Sequence, residues 1–261
     1  MQRSSTYKAE GVVLSRRELG DADRIITLYT REFGKRRLVA RGARKPSSRL
    51  GPHLELFSQV RVLGVVGANL DILSQVEPLH TFTRVRADLH AFAAAGWAIE
   101  LLDGLTEEGE SAPDAYAALL AFLHGIEPAT ADVDTWLTAL ALTLLAAHGY
   151  RPELHVCTVC RSAVVPGRHR FAPTLGGVAC AACAPGASAR PLAVDTLKVL
   201  RYLAEEGFAG AARVRVGASV RAELREILQA YAGAVTERDL KSGALLGRTG
   251  GVARPRPSYE P

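Results

Sequence analysis

An α+β multidomain fold is predicted by three observations. Apolar and polar residues alternate in strand-like fashion over residues 7–77, helix-period apolar stripes follow Pro78, and four cysteines form two CxxC pairs nineteen residues apart. Together they predict an N-terminal OB-like β-barrel, an α-helical bundle and a four-cysteine zinc-ribbon insert. The boundaries read as a barrel over 1–79, a bundle over 80–150, a ribbon over 151–190, C-terminal helices completing the bundle over 191–246, and a flexible tail over 247–261. A chain of 261 residues has room for two or three such units.

In the barrel, period-2 patterning places strands near 7–15, 23–31, 34–42, 55–64 and 69–77. Gly20-Asp21 and Gly34-Lys35 are turn signals between them. Gly42 to Pro52 is a polar, basic loop, and one long connection after the third of five short strands suits an OB-like barrel. An SH3-like barrel is the nearest competitor.

Helical signals begin near residue 82. Residues 82–102 are apolar almost all round, which predicts a buried helix. Ser111 and Asp114 have the spacing of a capping box for a helix over 112–124. Leu137, Leu140, Ala141, Leu144 and Leu145 share one face of a helix over 133–148, which Gly149 stops. Helices are predicted again over 193–206, ended by Gly207, over 218–235, and over 237–245.

Charge is segregated along the chain. Residues 1–61 carry fourteen Lys or Arg against six Asp or Glu, residues 62–150 carry two against twelve, and residues 151–261 carry sixteen against nine. A basic array laid over strands suits a polyanion, because neutralising phosphates releases condensed counterions. The acidic middle suits core packing or a protein partner. Arg36, Arg37, Arg41, Arg44, Lys45 and Arg49 cluster on one strand and its adjoining loop and are the first candidates for DNA contact; Arg16, Arg17 and Arg31 are the second. Tyr29 and Phe33 could stack on bases, although their place in apolar alternation favours the barrel core.

Cys157, Cys160, Cys180 and Cys183 read as the ligands of one structural zinc ion, with disulfides or free thiols as the alternative. Gly176-Gly177 supplies the chain reversal such a ribbon needs, and His155 and His169 are nearby but not required as ligands. The sequence has no Walker, GxGxxG or GxSxG motif. Asp21 and Asp23 are too few carboxylates for a nuclease metal site. A binding protein is therefore expected, not an enzyme. No signal peptide is visible, and the best apolar run, Leu137 to Ala147, is short of the ~20 residues of a membrane span. A cytoplasmic, nucleoid-associated protein without membrane contact is the expectation.

The stretch from Glu18 to Lys35, ELGDADRIITLYTREFGK, resembles the N-terminal signature of bacterial RecO recombination mediators. The following Ala40 to Leu50 continues the resemblance, as do Tyr231 and Arg238 to Ser242 near the C-terminus. Asp21 departs from it, since the family usually has Glu there. The resemblance implies binding to single- and double-stranded DNA, annealing of complementary strands, partnership with RecR and single-stranded DNA-binding protein, and help in loading RecA in the RecF pathway. Two other readings stand beside it: a protein-interaction scaffold gripped through the acidic bundle, and a zinc-ribbon RNA- or DNA-binding regulator.

Overall fold

The computed structural model describes residues 5–165, 167, 169–183, 186 and 189–250. Five strands, β1 (Thr6–Leu19), β2 (Asp23–Thr30), β3 (Gly34–Ala40), β4 (Gln59–Val65) and β5 (Asp71–His80), close a barrel in the order β1-β2-β3-β5-β4. All neighbours are antiparallel except β3 and β5, which meet in parallel at Leu38↔Asp71 and Val39↔Ile72. The OB-like barrel is thus present. Val13, Ile26, Leu28, Leu38, Val60, Val62 and Leu73 fill its interior.

The outer face of the first three strands is not left to water. Val12, Leu14 and Tyr29 belong to the apolar cluster of the helices and not to that of the barrel. A bulge between Val13 and Ser15 shifts the β1/β2 register and lets β1 serve both cores.

The last two strands begin later than expected from alternation. Residues 54–58 are a loop in which Phe57 has φ 69°, with Phe57 N–H donating to Val13 O and Val13 N–H to Ser58 O. Leu54 and Phe57 are buried there as loop residues, so their apolar character mimicked strand pattern.

The long helix expected over 82–102 is two helices, α1 (Thr83–Ala87) and α2 (Leu89–Leu105). Asp88 adopts an extended conformation between them and caps α2 by accepting from Ala91 N–H at 2.8 Å. Then come α3 (Pro113–Ile126) and α4 (Val133–Ala147). The Ser111–Asp114 capping box does not form: Ala112 holds the cap position, and the Ser111 hydroxyl donates instead to Arg31 O. A small sheet of β6 (His169–Ala172), β7 (Gly177–Cys180) and β8 (Arg190–Leu192) carries the cysteines. The chain ends in α5 (Val194–Arg213), α6 (Ala218–Thr236) and α7 (Ser242–Thr249). Gly207, at φ 55° and ψ −135°, breaks α5 without ending it, and α7 extends beyond the expected 245. Of the expected tail over 247–261, residues 251–261 lie outside the described residues.

A buried ionic network ties the two halves of the helical body together. Asp134, 4% exposed, lies 2.6 Å from Arg225 Nη1 and 3.2 Å from His90 Nε2. Arg221 pairs with Asp132 at 3.1 Å, and His90 Nδ1 meets Thr249 Oγ1 at 3.0 Å. Arg221 and Arg225 are thus engaged inside the fold. Removing one member of a buried pair strands the other charge. Asp134→Ala is expected to cost roughly 3–5 kcal/mol in urea unfolding. Arg213→Ala, whose pair with Glu206 is exposed, is expected to change stability by less than about 0.5 kcal/mol.

Candidate nucleic-acid interface and metal centre

The basic loop after β3 is folded back onto the β1–β2 hairpin. Gly42 (φ 65°) turns the chain, and its N–H donates to Asp23 Oδ1 at 2.7 Å. Arg44 N–H donates to Ala22 O, while its guanidinium reaches Gly20 O at 3.0 Å and Glu18 at 3.2 Å. Asp23 therefore anchors a loop, and Arg44 is a brace between loop and hairpin. The Ser48 hydroxyl accepts from Leu50 and Gly51 N–H and closes the far end. On this fixed loop Arg41, Lys45 and Arg49 are exposed, and none makes an ion pair among the described residues.

The other candidate cations are placed differently. Arg17 and Arg31 are exposed and also without an ion pair among the described residues. Arg16 pairs with Glu55 at 2.5 Å. Arg36 lies over the rings of Tyr7 and Phe33 with its Nε buried, which makes it part of the barrel's end wall. Arg37 donates twice to Glu108, at 2.6 and 3.0 Å. Lys35, read as a turn residue by its position after Gly34, reaches Asp103 at 2.5 Å. Phe33 packs edge-on against Tyr7 at the barrel's end, and Tyr29 is fully buried.

Sequence reasoning missed the contact between the acidic segment 103–110 and β3. Alternating charge blocks reveal that a basic and an acidic surface exist, but not that they meet. A cleft of about 670 Å³ opens beside this contact, between the outer face of β1–β2–β3 and α2. Arg17, Lys35 and Arg37 line its barrel wall, and Glu100, Asp103, Glu107 and Glu108 its helical wall.

The four cysteines converge as their spacing predicted. Their sulfurs all lie within 4.8 Å of one another, with Cys160 Sγ and Cys180 Sγ 3.9 Å apart. Tetrahedral zinc with Zn–S near 2.3 Å sets sulfurs about 3.8 Å apart, so the donor set fits zinc. Burial opposes ionisation of Cys157. The backbone N–H groups of Cys160, Cys180 and Val159 outweigh it and hold the thiol down to about 6, which favours a metal-binding thiolate. Glu153 shapes the first knuckle by accepting from His155 and Val156 N–H. Gly177 passes so close to it that a Cβ would stand 2.3 Å from Glu153 O. His155 is exposed and His169 meets Val165 O, so the ligand group is cysteine alone.

The described residues include no helix long and apolar enough to cross a membrane. Two family models cover nearly the whole chain: Recombination protein O N terminal matches residues 1–82, and Recombination protein O C terminal matches residues 86–244. The chain is 39% identical over 245 residues to the DNA repair protein RecO of Roseiflexus sp. (strain RS-1), spanning 94% of this chain and 86% of the relative. It is 40% identical over 243 residues to the DNA repair protein RecO of Symbiobacterium thermophilum, spanning 92% and 96%. It is 37% identical over 246 residues to that of Pelotomaculum thermopropionicum, spanning 94% of both. With an OB-like barrel, a helical body, a four-cysteine cluster and matches of this extent, the chain belongs to the RecO family of recombination and DNA repair proteins.

Proposed function

We propose that the protein is a recombination mediator that binds single- and double-stranded DNA, anneals complementary strands and, with RecR and single-stranded DNA-binding protein, helps load RecA. It breaks no covalent bond in doing so. The observation that carries this reading is the rigid loop presenting Arg41, Lys45 and Arg49 to solvent, with Arg17 and Arg31 on the same barrel. Two phosphate backbones repel until cations lie between them, and annealing needs that screening more than it needs chemistry. Arg44 belongs to the scaffold of the loop more than to its contact surface.

We further propose that the four thiolates hold one structural zinc ion. Four protein ligands leave no open position for an activated water. The ion would fix the ribbon and would not take part in DNA chemistry.

Binding is expected to be sequence-tolerant and to weaken steeply with salt. Arg41→Glu/Lys45→Glu/Arg49→Glu is expected to weaken single- and double-stranded oligonucleotides alike and to flatten the slope of log K against log salt by about 2–3. Fluorescence anisotropy across a salt series measures both, and unchanged affinity in this variant would remove the loop from the interface. For the metal, atomic emission of protein purified without chelator should read about one zinc per chain. Cys157→Ser/Cys180→Ser should lose the metal and melt several degrees lower; a wild-type protein without zinc would refute the site.

A further inference from the structure

Building on the proposed DNA-binding role of the barrel, we propose that residues Asp103–Glu110 form an acidic strap over a concealed single-strand site made of Tyr29, Lys35 and Arg37, and that single-stranded DNA displaces it.

The strap occupies an open edge. β3 pairs with β5 only through Leu38 and Val39, so its first half has no β-strand partner on that side. Glu108 bridges to Lys35 there in parallel, and Gly109 N–H donates to Lys35 O at 3.0 Å. Gly34, at φ 60°, makes the approach possible: a Cβ on it would stand 1.7 Å from Glu110 O. The carboxylates then take the cations, Asp103 on Lys35 and Glu108 on Arg37, and Glu107 lines the same cleft.

What lies underneath has the composition of a stacking platform. Cross-strand pairing sets Tyr29 opposite Lys35 and Thr27 opposite Arg37 on β2 and β3. Lys35 and Arg37 are two residues apart on one strand face, about 7 Å, a spacing that neighbouring phosphates of an extended single strand can follow. An aromatic ring flanked by such cations is how sequence-tolerant single-strand sites are built. The Tyr29 hydroxyl is fully buried with no hydrogen-bond partner, which core packing alone leaves unexplained. Glu110 adds to burial in pushing that hydroxyl up to about 12, so the strap's charge acts directly on the ring. The floor beside it is apolar, with Leu14, Ile25, Phe57 and Phe92.

The strap is also weakly held. Residues 107–111 are all exposed, and the Arg37–Glu108 pair is about half exposed on both sides. Such pairs contribute little and are screened by salt. Phosphates of an incoming strand can therefore compete for the same two cations. A duplex is too wide for the cleft, so the site discriminates in favour of single strands.

The test uses the full chain with Glu107→Gln/Glu108→Gln/Glu110→Gln and an oligodeoxythymidylate. Neutralising the strap is expected to tighten single-strand binding roughly tenfold at moderate salt and to steepen the salt slope by about 1, with duplex affinity unchanged. Adding Tyr29→Leu to the triple variant should reverse the gain. In the wild type, hydrogen exchange at Gly109 N–H should accelerate when the oligonucleotide is added, whereas a strand bound over a closed strap would slow it. Triple-variant affinity within twofold of wild type, or slower exchange at Gly109, would overturn the proposal. A wild type that binds no oligonucleotide even at low salt would instead refute the DNA-binding reading on which it rests.

Discussion

Val12, Leu14 and Tyr29 are rooted in the barrel but buried in the core of the helices, and this shared burial governs the rest of the structure. Fully burying an apolar side chain stabilises by about 1.5–3 kcal/mol, so the barrel and the helical body are fastened together by several such groups. Having spent one face on the helices, the barrel presents its remaining cations elsewhere, chiefly on the loop after β3. The same docking brings the acidic segment following α2 against the start of β3, where opposite charges meet. Location of charge, and not its total, thus separates cations that serve the fold from cations that face solvent.

Much of this was legible in the sequence wherever one local rule decided the outcome. Alternation located the first three barrel strands because Val13, Ile26, Leu28 and Leu38 point inward in strict period. Cysteine spacing located the metal cluster because two tight turns bring their thiols together whatever surrounds them. Legibility failed where partners are distant in sequence. Leu54 and Phe57 looked like strand residues because burial in a loop and burial in a sheet select the same side chains. Asp88 looked like a residue of one continuous helix, although its capping carboxylate divides two. Ser111 was claimed by the carbonyl of Arg31, eighty positions away, and not by its own helix. Among the basic residues, composition could not tell Arg37, which is paired, from Arg41, which is not, since that difference depends on where the acidic block lands.

The ribbon is less separate from the body than an insert of forty residues in sequence suggests. Arg201 of α5 donates to Leu154 O at 2.7 Å and to Val164 O at 3.2 Å, gripping both flanks of the first knuckle. Tyr231 of α6 donates to Tyr150 O and packs edge-on against Phe171 of β6. Glu223 accepts from Ala193 N–H and from the Thr196 hydroxyl, satisfying the start of α5 just after the ribbon returns. Order in the thiolate cluster is therefore transmitted to the helices through backbone carbonyls and not through apolar packing alone.

The contacts of α7 carry a consequence for biosynthesis. Glu100 of α2 accepts from Ser242 N–H and its hydroxyl, His90 meets Thr249, and Trp97 donates to Gln229, so α2 finds partners more than a hundred positions downstream. Loop closure over such spans must precede the reward of those contacts. While the polypeptide is still on the ribosome, the barrel can close from local pairings, but α2 waits with an apolar flank uncovered until nearly the last codon has been read. Chaperone dependence in the nascent state would follow from topology alone.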